Sequence, residues 1–215
     1  MIIMQLVQEG KIDLYEPITT YLPYYRKDTG DKITVHNMLT HSHGIPDPTM
    51  DSMPLVVTAS PEEVIKKYFS GDPMFEPGEK FSYSGVGGYT ILGAVTEKVS
   101  GKTLKELLQE RIFDPLGMKN SLYYDVKTVI ERKAIDYRYE GKEVVHRLQP
   151  YYIINAFGAS CIVTTVDDLF LWDRALYTNK LLGPDFMKRY LKPHIKMGEN
   201  ASYAYGQCIS YYTKG

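Results

Sequence analysis

Apolar residues at positions 89, 91, 92, 95 and 99 recur at the spacing that keeps one face of an α-helix dry, and Gly101 stands where such a helix must stop. A second helical series, apolar at 104, 107, 108, 112 and 113, fills Lys102 to Phe113 and runs into Pro115. Start signals elsewhere agree with a mostly helical chain. In Ser60-Pro-Glu-Glu the serine caps, Pro61 takes the first helical position and Glu63 completes a capping box, which predicts a helix to Phe69. Thr34 caps a short helix ending near Thr40. Thr165 opens another to Tyr177, with Asp167 and Asp168 in its positive first turn. Ser/Gly/Pro clusters at 42–54, 71–79 and 115–121 read as loops, and residues 122–155 hold short alternating segments with a hairpin expected around Glu140-Gly141.

The two ends are abrupt. Met1 to Gly10 is helical with Gly10 as its C′ residue, yet no Ser, Thr, Asp or Asn precedes the first apolar residues. The segment reads as the second half of a helix, and it lacks the basic region and small-residue cleavage site of a signal peptide. Ser202 to Tyr212 has strand composition and stops with few partners. At 44% hydrophobic residues and a net charge of −1, the chain is neither disordered nor electrostatically suited to nucleic acid or anionic lipid. Its apolar runs are far short of the ~20 residues that span a bilayer. Cys161 and Cys208 form no CxxC motif.

Four separated blocks, in order, carry a resemblance. They are Leu6-Val-Gln-Glu-Gly-Lys-Ile-Asp-Leu14 with Tyr21-Leu-Pro23; Ile33-Thr-Val-His-Asn-Met-Leu-Thr-His-Ser-His-Gly-Ile45; Pro77-Gly78 with Phe81-Ser-Tyr-Ser-Gly85, Gly88 to Gly93 and Val99-Ser-Gly101; and Ile162-Val-Thr-Thr-Val-Asp-Asp-Leu169 with Trp172 to Leu176. Together they resemble the penicillin-recognising serine hydrolases: class C β-lactamases, D-Ala-D-Ala carboxypeptidases and related esterases. The resemblance implies an α+β fold, a largely helical domain beside an antiparallel sheet that this chain carries incompletely. It implies one truncated domain over 1–215, with the helical part about 11–200 and one sheet strand about 203–212. The nucleophile-bearing N-terminal part and the C-terminal strands are expected to be absent, leaving apolar surface that favours self-association.

Such enzymes acylate a serine and pass the acyl group to water. A Ser-x-x-Lys motif supplies nucleophile and proton acceptor one helical turn apart, a Tyr-x-Asn loop the phenolate-type base, and a Lys-Thr-Gly or His-x-Gly strand electrostatics and an oxyanion-hole N–H. No serine in this sequence has lysine three residues on, and neither strand motif is present. The expected place for the first is about two turns before Met1. The middle motif stands as Tyr83-Ser84-Gly85, with glycine where the family has asparagine and one extra residue before Tyr89.

The resemblance therefore nominates Tyr83 as catalytic base, with Gly85 and Ser160 at the substrate. As a bland alternative, Tyr83 is one packed aromatic among 19 tyrosines, and Gly158-Ala-Ser160 is a tight turn. His36, His41 and His43 invite a zinc reading, but no HExxH or ligand-spaced carboxylate accompanies them, and His41 matches a structural position at a helix end. No metal or cofactor is expected. The expected partner is a small-molecule or peptide substrate of the complete enzyme, in the cell envelope or elsewhere outside the cytoplasm. The alternative is a pseudoenzyme that binds without turnover, with Gly85 in its favour.

Overall fold

A computed structural model describes residues 1–48, 60–124, 128–131, 133–134, 137–146 and 157–210. α1 (Ile2–Gln8) buries Ile2, Ile3, Met4 and Leu6. It ends in a Schellman turn: Gly10, at φ 70°, donates to the Val7 carbonyl, and Lys11 donates to Leu6. Short α2 (Ile18–Tyr21) and α3 (Lys27–Gly30) lead to α4 (Val35–Leu39), where Thr34 and Asn37 form a capping box.

α5 (Pro61–Tyr68) begins with the Ser60/Glu63 box read from the sequence. α6 (Gly87–Ser100) ends at Gly101, which is left-handed at φ 70°. Around α6 the rest is arranged, for it packs against α1, α2, α4, α5 and α7. Ile91, Leu92 and Val95 on its inner face are buried, each contributing about 1.5–3 kcal/mol relative to exposure.

α7 (Leu104–Leu108) is capped by Thr103 with Glu106 rather than starting at Lys102. The chain then widens into a π-helical stretch (Gln109–Phe113) before α8 (Asp114–Leu116). Pro115 has no N–H to offer the Arg111 carbonyl, so the regular ladder cannot run through it.

β1 (Leu122–Tyr123) pairs antiparallel with β4 (Ile162–Val163), and β2 (Tyr137–Glu140) with β3 (Glu143–His146) across the expected turn, where Gly141 has φ 64°. α9 (Val166–Leu176) is capped by Thr165. Its Asp168 is more than a first-turn charge: buried, it accepts from Asn120 N and Ser121 Oγ, both at 2.7 Å, and ties the start of α9 to the loop after α8.

α10 (Pro184–Leu191) and β5 (Ile195–Gly198) follow, neither anticipated from the sequence. The single strand expected at 203–212 is corrected to two, β6 (Ala201–Tyr203) and β7 (Cys208–Ser210), which join β5 in an antiparallel meander. The turn between them needs Gly206 at φ 84° and is closed by Ala204 N donating to the Gln207 carbonyl. Residues 211 and 212 of that expected strand, and 125–127, 132, 135–136 and 147–155 of the segment 122–155, lie outside the described residues. The architecture is α+β: a helical body with small antiparallel sheets.

Candidate active site

The loop Phe81–Val86 enters α6, and its shape comes from residues far away in sequence. α4 ends in a Schellman turn with histidine in the glycine position: His41, at φ 51°, donates to Met38 O, and Ser42 donates to Asn37 O. Left-handed backbone costs a non-glycine residue about 1–2 kcal/mol, and what His41 gains in return is contact. Its carbonyl accepts from Ser82 N at 2.9 Å and its Nδ1 from Ser84 N at 3.2 Å. With Nδ1 accepting, the neutral ring carries its proton on Nε2. Around the ring stand Tyr83 at 4.5 Å between centroids, Tyr89 stacked at 5.0 Å, Tyr203 at 5.0 Å and Phe81 at 6.0 Å. From the loop after Ile45, the Asp47 carboxylate accepts from Ser84 Oγ at 2.7 Å, Gly87 N at 2.8 Å and Gly85 N.

The three nominated residues fall into two places. Tyr83 stands in the loop four residues before α6, with its ring against His41, and is 66% exposed. Gly85 lies two residues on, its amide on Asp47. Ser160, by contrast, lines a cavity of about 330 Å³ with Tyr89, Gly93, Gly158, Leu39 and Trp172. Tyr83 does not line that cavity; Tyr89, stacked on the other side of the network around His41, reaches both. The Gly158 turn is a close approach of backbone to backbone: φ is 85°, and a Cβ there would stand 2.5 Å from Tyr89 O and 3.1 Å from Gly93 Cα. Packing alone therefore accounts for Gly158, whereas Ser160 faces open space.

Burial governs the electrostatics. It pushes His41 and His43 down to about 4, with Asp47 opposing the shift in both cases. His36 is likewise near 4, from burial and then from neighbouring His194 and Arg189. The ring nitrogens serve the fold: His36 Nδ1 meets Tyr205 Oη at 2.8 Å, and His43 Nδ1 accepts from Ile45 N at 3.0 Å. Burial also raises the phenols of Tyr89 and Tyr203, which are hydrogen-bonded to each other. Asp47 and Tyr203 escaped the sequence reading. Asp47 stands in the loop after Ile45 and Tyr203 at the end of β6, and each meets its partners in the site from far along the chain.

The profile of the Beta-lactamase family matches residues 1–206. A teichoic acid D-alanine hydrolase of Staphylococcus aureus is 26% identical over 190 residues, which cover 86% of this chain and 44% of that protein. A penicillin-binding protein from Bacillus halodurans superposes with a TM-score of 0.84 at 25% identity, over 98% of this chain and 65% of that one. A D-amino acid amidase from Ochrobactrum anthropi, complexed with D-phenylalanine, gives 0.81 at 27% identity, over 98% and 63%. The chain spans about half the length, or less, of the curated relatives it matches.

The buried imidazoles set a pH dependence. Their folded pKa values, about 4, lie below the ordinary 6.5, so the unfolded chain binds protons that the fold refuses. That stability is fully present above pH 6.5 and is lost as pH falls from 6.5 toward 4. The melting temperature should drop over this window, while the Cε1 protons of His41 and His43 keep neutral chemical shifts down to pH 5. A His41 midpoint near 6.5 would contradict its burial.

Proposed function

The chain belongs to the Beta-lactamase family, and from that premise we propose that it is the helical portion of a serine acyl-hydrolase acting on β-lactam, D-amino-acid peptide or ester substrates through an acyl-serine intermediate. Tyr83 is the base of that reaction. The observation that supports this role is its placement: the tyrosine sits within a pinned loop leading into α6, the ring braced by His41 and the residue two-thirds exposed. A hydroxyl held this way can take the proton of an attacking serine and pass it to the leaving group. Gly85 and Ser160 are the proposed substrate contacts, Ser160 through the cavity mouth it shares with Tyr89.

Residues 1–215 contain no Ser-x-x-Lys, so acylation is proposed to require a nucleophile helix from outside them, and this chain alone is proposed to be inert. A second reading rests on Gly85, which offers substrate no carboxamide: the site binds and does not turn over. Turnover separates the two. In a form in which a Ser-x-x-Lys helix precedes residue 1, Tyr83→Phe should fold normally and lose ~10²–10⁴-fold in rate, while Tyr89→Phe, which gives up a bond to Leu39 O at 3.3 Å and the bond to Tyr203, keeps most of it. Wild-type rate in Tyr83→Phe would exclude Tyr83 as base, and no turnover in any form would favour the binding module.

The apolar residues on the outer side of α9 suit self-association, which we propose as well. Val166, Phe170 and Tyr177 are 83%, 60% and 80% exposed, and their spacing of four and seven puts them in one stripe. Sedimentation velocity should show a concentration-dependent larger species that Phe170→Glu removes. A monomer at every concentration would rule it out.

A further inference from the structure

We propose that Asp47 is the positioning residue for Tyr83, holding from a separate loop the backbone that presents the phenol. The proposal rests on the reading of Tyr83 as the base. Local sequence gives α6 a poor beginning. Val86, in the N-cap position, makes no side-chain cap, and the first two helical residues are Gly87 and Gly88, among the weakest helix formers. Asp47 supplies what is missing from about forty residues upstream.

Its Oδ1 accepts from Gly87 N and from Ser84 Oγ, with a longer contact of 3.4 Å from Val86 N. A negative charge is favourable at this end of the helix dipole. Its other oxygen, Oδ2, accepts from Gly85 N. One carboxylate thereby joins the helix start to the loop in front of it.

The consequence for Tyr83 is geometric. Its chain neighbours are fixed on both sides, Ser82 N by His41 O, Ser84 N by His41 Nδ1, and Ser84 Oγ and Gly85 N by Asp47. A Cβ at residue 85 would start 3.6 Å from Asp47 Oδ2 and 4.0 Å from Tyr83 Cε1. The carboxylate thus flanks the same small space beside Tyr83 into which a side chain at 85 would grow. Gly85 is not among the glycines of positive φ, so its backbone does not demand glycine. What its missing side chain leaves free is room beside this clamp.

The test reads position rather than turnover, so its outcome is independent of whether the chain proves to be part of an active hydrolase. Tyr83 ring signals, assigned by their loss in Tyr83→Phe, should be shifted by the His41 ring in the wild-type chain. In Asp47→Ala they should move to the positions of a solvent-exposed tyrosine, and the amide protons of Gly85 and Gly87 should exchange at least tenfold faster. Thr103→Ala removes a comparable cap from α7 and should do neither. Asp47→Asn keeps an acceptor for Gly87 but sets an NH₂ group against Gly85 N–H. It should move the Tyr83 signals with little loss of melting temperature, and it decides the matter if Asp47→Ala does not fold. Tyr83 signals in Asp47→Asn that superimpose on wild type would overturn the proposal, because Asp47 would then be a helix cap and nothing more.

Discussion

Where α4 ends, the imidazole of His41 is neutral, buried and surrounded by rings from three other segments of the chain: Phe81 and Tyr83 before α6, Tyr89 within it, and Tyr203 from β6. Nothing local holds these together. The loop before α6 has its backbone donors answered by His41, and the meander reaches α6 through the hydrogen bond between Tyr203 and Tyr89. The first depends on a histidine that accepts left-handed backbone, and the same imidazole packs against both tyrosines of the second. The strain is stored where the contacts are richest, which is the pattern of a site that its surroundings over-determine.

Helices were the most legible part of the sequence, because their signals are local. Ser60 with Glu63, Thr165, and Gly101 each act within four residues of themselves, and each does in the structure what its letters imply. The meander was less legible. A run such as Ser202 to Tyr212 has strand composition throughout, and only the conformation of Gly206 divides it into two short strands. Asp168 shows a third kind of limit. Its sequence position marks a first-turn charge, but the bonds it makes to Asn120 and Ser121 depend on how the chain returns some forty-seven residues later.

The site was legible in part for the same reason. Tyr83 carries a motif, and motifs survive in sequence because their spacing is rigid. Gly158-Ala-Ser160 was open to two explanations, and the structure divides them by residue: glycine for the close approach to α6, serine for the cavity. Of the partners around Tyr83, His41 lies in one of the family-like blocks, but Asp47 carries no motif. Asp47 sits between Pro46 and Pro48 and acts on the Ser84 hydroxyl and on backbone donors, and the backbone donors leave no mark on the residues that supply them. A chain that replaces the family's asparagine with glycine and adds a residue before Tyr89 can still present its tyrosine when the loop is fixed from outside.

We propose that residues 1–215 carry the base and its supports but no serine able to form an acyl-enzyme. Incubation of the 215-residue chain with a fluorescent penicillin, followed by intact-mass measurement, tests this most directly. The predicted result is an unmodified chain and no bound fluorescence after denaturation. One acyl group per chain, on any of its serines, would contradict it.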